Sequence, residues 1–285
     1  MGRLDESSTV RLRRLATELT RLREAAGLTR EQVASQLGCP VSTVFRLETG
    51  RNRPQPRTLR ALLDLYQVTG VEREALIALA QQSRTRGWWH AYSDVLPGRY
   101  VGLEAAASSI RNYEPTMVPG LLQTEAYARA VVGAAMVEDP EEVARRVAAR
   151  MARQAVLTDP NPLRFWAIID EAVLYRTVGG PEVMRKQLDH LVHMVTTRPN
   201  VTLQVLPFTA GAYLSMGNPL VILSFPDPAD SDVVFLENIA GELYLEDPES
   251  VTRYSVVFDH LRAAALSPEE TVALIKKVAA GRTTP

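Results

Sequence analysis

Ser42, Thr43, Phe45 and Arg46 place two hydroxyls, an aromatic ring and a planar cation within five residues. These are groups that touch base edges and phosphates in nucleic-acid recognition. They sit in the run from Thr29 to Gly50, and the spacing around them is orderly. Val44 and Leu47 lie three apart and share an inward helical face, which leaves the four polar and aromatic residues pointing elsewhere. Upstream, Val33, Ala34 and Leu37 form the inward stripe of another short helix. Thr29 with Gln32 three residues on is a capping-box start, and Gly38 stands where the helix must stop in a left-handed conformation. The pattern predicts two short helices joined by a tight turn, the geometry that sets a second helix in the major groove. A plain helical hairpin in a bundle shows the same stripes, but the outward side chains favour DNA.

The residues that would do other chemistry are less well placed. His190 and His193 are three apart on a predicted helix and could share a metal, but no cysteine or well-placed acid accompanies them. Asp227, Asp230 and Asp232 suggest oxygen ligands, yet Pro226 and Pro228 make that stretch an ordinary turn. Asp170 and Glu171 end a predicted strand on opposite faces, which rules them out as an acid–base couple. No glycine-rich phosphate loop, G-x-S-x-G elbow or H-E-x-x-H is present. The expectation is no catalytic residue, no metal and no cofactor. Arg145, Arg146, Arg150 and Arg153 share one predicted helix and read as a solvated face with glutamate partners, a second nucleic-acid surface being the alternative. The run Trp88-Trp89-His90-Ala91-Tyr92 reads as packing onto a following domain; a base-stacking platform would want basic residues between the rings.

The net charge of −1 over 285 residues conceals an asymmetry. Residues 1–86 hold 15 basic and 9 acidic side chains, and residues 87–285 hold 17 and 24. The basic part carries the helix pair, as phosphate neutralisation requires. With 46% hydrophobic residues the chain can bury proper cores. The single Cys39 excludes an intramolecular disulfide and reads as a structural thiol in the turn. No apolar run approaches the ~20 residues that span a bilayer, and the polar start is no signal peptide. A cytoplasmic protein that avoids membranes is expected.

The elements that must position these groups fall into two domains. Residues 1–82 are expected to form an all-α bundle of about five helices: a polar arm over 1–9, then a helix on Leu12, Leu15, Leu19, Leu22 and Ala26, the helix pair, a helix on Leu59, Leu62, Leu63 and Tyr66, and one around Leu76, Ile77 and Leu79. Residues 83–102 form an aromatic-rich linker through Arg84, Arg86 and Gly87 to Leu96, Pro97 and Gly98. Residues 103–285 are expected to be an α+β domain with a small, mainly antiparallel sheet. In it a helix runs through Leu103, Ala106 and Ile110, Thr124 caps a second, and Asp139-Pro140-Glu141-Glu142 opens a third. Strands are predicted at Phe165 to Leu174, Val201 to Leu206, Leu220 to Phe225, Val233 to Leu236 and Leu243 to Leu245, the last three as a meander. A helix opens at Gly180-Pro181, and two more cover Val251 to Ala265 and Pro268 to Ala280.

From about Leu12 to Leu79 the chain resembles the Xre, or lambda-repressor-like, helix-turn-helix family. The resemblance rests on Leu19, Leu22, Arg23, Gly27, Val33-Ala34, Leu37-Gly38, Ser42-Thr43-Val44 and Arg46-Leu47-Glu48-Thr49-Gly50. It implies that Val41, Ser42 and Arg46, with Thr43 and Phe45 beside them, face base edges, and that Thr29, Arg30, Arg51 and Arg53 lie near phosphates. Pro40 replaces the usual Ser or Thr of the turn, and Val41 replaces a common Gln, so a thymine methyl rather than adenine is within its chemistry. Farther on, Val118-Pro119-Gly120-Leu121-Leu122-Gln123-Thr124 and Tyr127-Ala128-Arg129 resemble the C-terminal domain of actinobacterial WhiJ-like Xre regulators; Asp170-Glu171, Leu206-Pro207-Phe208 and Leu236-Glu237 fit the same pattern. Together the resemblances imply a transcription regulator, a repressor that binds a double-stranded DNA operator as a homodimer, often encoded beside a small BldB-like companion protein. Two alternatives stand with it: an antitoxin-like interaction protein that mainly neutralises its companion, and a regulator that senses a small effector.

Overall fold

The computed structural model describes residues 8–83, 88–92, 94–95, 98–135, 137, 139–228 and 230–281. Most of the expected polar arm, the 84–87 stretch and residues 96–97 lie outside these. The chain divides into two units between His90 and Ala91.

In the first unit the helices are α1 (Ser8–Ala25), α2 (Arg30–Leu37), α3 (Val41–Glu48), α4 (Pro56–Leu65) and α5 (Gly70–Gln82). Their apolar stripes meet in one core built on Leu15, Leu19, Leu22, Val33, Val44, Leu47, Leu59, Leu62, Leu63 and Leu76. Ala26 falls just beyond α1 and is exposed, because the chain turns there toward Gly27 at φ +67°. Cys39 is half-buried and packs against this core. Trp88 and Trp89 fall with this unit and meet edge to face, their ring centroids 6.2 Å apart.

The second unit departs from the small antiparallel sheet that the sequence suggests. Its sheet has six strands in the order β3-β2-β1-β4-β5-β6: β1 (Ser109–Glu114), β2 (Arg164–Asp170), β3 (Val201–Leu206), β4 (Leu220–Ser224), β5 (Val233–Asn238) and β6 (Gly241–Leu245). β1, β2 and β3 run parallel to one another, whereas β4 pairs antiparallel with β1 and β4 to β6 form the expected antiparallel meander. Parallel pairing requires crossovers, and helices supply them. α7 (Glu125–Gly133) and α8 (Pro140–Arg153) lie between β1 and β2, and α10 (Pro181–Thr197) lies between β2 and β3.

Two element assignments change. The helix through Leu103 ends at Ala106 as α6 (Gly98–Ala106), and Ile110 belongs to β1. Ser108 makes the break: its N–H and Oγ both donate to the Ser224 carbonyl, at 2.8 and 3.2 Å, committing the chain to the sheet. The strand expected through Leu174 stops at Asp170, and Ala172–Tyr175 is a single helical turn, α9. α11 (Pro248–Ala264) covers one sheet face through Phe258 and Leu261, which pack on Tyr113, Ile168, Ile222 and Val234. α12 (Pro268–Ala280) closes the chain. The N-terminal caps agree with the reading: Thr124 accepts from Tyr127 N–H and Asp139 from Glu141 N–H.

Candidate nucleic-acid interface

The helix–turn–helix is built by local signals. Thr29 Oγ1 accepts from Gln32 N–H at 3.3 Å while Gln32 Oε1 accepts from Thr29 N–H at 2.8 Å, closing a capping box that starts α2. Gly38 ends α2 at φ +64°, where a Cβ would strain the backbone. Pro40 then begins α3 with no side-chain cap, consistent with its lack of a hydroxyl. Val44 and Leu47 are buried and fix the rotation of α3 about its axis.

That rotation decides which side chains face water. Ser42 and Arg46 are exposed, Val41 is 39% exposed and Phe45 40%. Thr43 is half-buried and sits at the margin of this face. Val41 and Phe45, four residues apart, share one side of α3 and form a small apolar patch there. Phe45 is flanked by cations: the guanidinium carbons of Arg30 and Arg51 lie 5.6 and 5.7 Å from its ring centroid. Arg51 is carried there by a turn in which the N–H groups of Arg51 and Asn52 both donate to the Arg46 carbonyl, at 2.9 and 3.0 Å. Gly50 at φ +64° makes that turn possible. Arg53 is exposed in the same loop, and Thr29 is exposed at the start of α2. The structure thus gathers Thr29, Arg30, Val41, Ser42, Phe45, Arg46 and Arg51 around the outer side of α2 and α3.

One arrangement beneath this surface is not evident from helical spacing. Glu48, its side chain 2% exposed, accepts from Arg23 Nε at 2.6 Å and from Arg30 Nε at 2.7 Å. Arg23 also donates to the Leu28 carbonyl at 2.9 Å. A single carboxylate therefore ties α1, α2 and α3 together. Arg30, 38% exposed, is aligned by it beside Phe45.

Several acids and a histidine of the second unit make contacts within it. Asp170 accepts from Tyr213 Oη at 2.6 Å and from Ala172 N–H at 2.8 Å, and Glu171 from Phe208 N–H at 2.8 Å. Asp232 accepts from Ser224 Oγ at 2.7 Å. His190 is half-buried, and burial, followed by the charge of His193, lowers its pKa. Among the described residues no three His, Cys, Asp or Glu side chains gather as a metal site would require. The α8 arginines divide. Arg145 pairs with Asp94 at 2.7 Å and Arg146 with Glu142, as a solvated face would. Arg150 and Arg153 instead turn inward, because acceptors on other elements, Gln123 and Glu104, await them. Among the described residues no helix is long and apolar enough to cross a membrane.

Comparison with known families agrees with this division. A helix-turn-helix domain matches residues 14–76, and a domain of unknown function (DUF5753) matches residues 97–277. No curated protein and no solved structure matches the chain. Since the second match spans more than half of the sequence, the chain belongs to the DUF5753 family and carries a helix-turn-helix domain ahead of it.

Proposed function

We propose that the chain is a sequence-specific transcription regulator of the Xre type that binds a double-stranded DNA operator through α3. The observation that carries this reading is the outer face of α3, where Val41, Ser42, Phe45 and Arg46 stand clear of the core beside Arg30 and Arg51. In this reading Arg46 forks onto a guanine edge, Val41 meets a thymine methyl, Ser42, Thr43 and Phe45 contact neighbouring bases, and Thr29, Arg30, Arg51 and Arg53 hold phosphates. The protein works in the cytoplasm as a homodimer, because two half-sites one helical turn apart multiply the affinity of a short helix. It represses, without catalytic turnover, and a small companion protein relieves it through the second unit. Support for a protein partner comes from the sheet edge at β6, where Leu243 is 51% exposed and Ile239 fully so in the adjoining turn.

Selection of duplexes from a randomised pool by the full-length chain tests the reading. Enrichment of a motif with two half-sites centred roughly 10 base pairs or a multiple apart, protected in a footprint, is the expected result. A pool that returns no motif at physiological salt overturns it.

A further inference from the structure

On the sheet face opposite α11, the second unit holds a cavity of about 340 Å³. Strand alternation and register put Asn112 and Glu114 of β1, Phe165 of β2, Val221 of β4 and Phe235 and Glu237 of β5 on that face. α6 closes one side, and α8 brings Arg146, Arg150 and Arg153 across the top. A volume near the lower end of the range for ligand pockets suits one small metabolite rather than a peptide.

The charges inside are not all spent. Arg153 is clamped by Glu104 through two hydrogen bonds of 2.7 Å, and Arg146 is held by Glu142. Arg150 is different. Its Nη1 donates to Gln123 Oε1 at 2.8 Å, and among the described residues it makes no ion pair. Gln123, 1% exposed, is itself fixed by its Nε2 donating to the Val118 carbonyl at 2.7 Å, so its oxygen stays aimed at the guanidinium. Burial holds the Arg150 guanidinium below its ordinary range. On the sheet side Glu114 also stands without a cation in hydrogen-bond range among the described residues, and burial pushes its carboxyl up to about 7. Glu237 and Glu242 add negative charge at the exposed rim. Arg150 and Glu114, both half-buried, line one cavity and feel each other's charge without forming an ion pair, and a ligand that meets both offsets the desolvation cost of each. Tyr100 and Phe235, their centroids 4.4 Å apart, line the cavity as well, and the Arg153 guanidinium lies over the Tyr100 ring at 5.2 Å.

We propose that this cavity binds a small zwitterion, with its carboxylate on the Arg150 guanidinium and its ammonium toward Glu114 and the acidic rim. A planar fork suits a carboxylate, which a lone ammonium would not reproduce. The inference concerns the second unit alone and stands or falls independently of DNA binding. The test uses the full-length chain in calorimetry and thermal-shift assays against free α- and ω-amino acids, each with its N-acetyl and carboxamide counterparts. At least one free amino acid should bind while neither blocked form does. Arg150→Gln and Glu114→Gln should each weaken that binding about tenfold or more, with Arg150→Lys falling between. Ala135→Phe, an uncharged change at an exposed position that lines the cavity, should also weaken it and serves where a charge variant fails to fold. Arg51→Ala should leave it unchanged. If no free amino acid binds, or if a blocked form binds as well as its parent, the proposal is wrong.

Discussion

Removal of the Glu48 carboxylate should loosen the whole helix–turn–helix, because it is the shared acceptor of two arginines. In Glu48→Leu the volume is roughly kept, but Arg23, only 10% exposed, loses its buried partner and keeps only the exposed Glu24 at 3.2 Å. Breaking a buried pair in this way costs about 3–5 kcal/mol. Arg30, 38% exposed, can turn to water, so its share is below about 1 kcal/mol. A loss of about 3 kcal/mol corresponds to a roughly hundredfold larger opening equilibrium constant. Hydrogen exchange of the full-length chain reads this locally: amides of α2 and α3 should lose about two orders of magnitude of protection, while the β1 to β3 amides keep theirs. The double variant Arg23→Leu with Glu48→Leu removes the poorly compensated charge and should be more stable than Glu48→Leu alone. If the two single effects add within about 0.5 kcal/mol, the buried pair is not what joins these helices.

Arg51→Ala should weaken binding to cognate and scrambled duplex alike and lower the slope of log K against log salt by about one phosphate contact, read by fluorescence anisotropy across a salt series. Thr29→Ala opens the capping box at α2 and should cost about 1 kcal/mol in urea unfolding. Glu114 gives the second unit a pH dependence. The folded chain keeps this proton up to about pH 7, whereas the unfolded chain releases it near 4.5, so the contribution is complete below that lower value and is lost as pH rises through 7. The difference amounts to about 3 kcal/mol, and Glu114→Gln should flatten it in unfolding curves taken from pH 4 to 8.

The first unit was legible because its instructions are short-range. Thr29 and Gln32, Gly38, Pro40 and the Val44/Leu47 pair each act within a turn or two, and the structure places them as their spacing implies. β1 was hidden because Leu103, Ala106 and Ile110 satisfy a helical period, and all three are in fact buried. What makes Ile110 a strand residue is its pairing with Phe165 and Leu223, far along the chain. The same blindness to distance hid the parallel half of the sheet. It also misplaced Arg150 and Arg153: their i, i+3 spacing suggests an outward stripe, but Glu104 lies 49 residues from Arg153 and on another helix. Glu48 follows the same rule, since nothing in its neighbourhood announces Arg23 on α1. The spacing turns Phe45 outward, and its two flanking guanidiniums come together only where the loop at Gly50 brings Arg51 back.

The central claim is that the outer face of α3 reads sequence, and discrimination rather than affinity tests it most directly. The measurement is the ratio of dissociation constants for a selected duplex and its scrambled counterpart, taken for the wild-type chain and for Arg46→Ala at one salt concentration. Arg46 is exposed on that face, and among the described residues it makes no ion pair, so its removal should leave the fold intact. The account predicts a loss of about 1–3 kcal/mol on the selected duplex and little change on the scrambled one, with preference relaxed at one position per half-site. An unchanged ratio would contradict it.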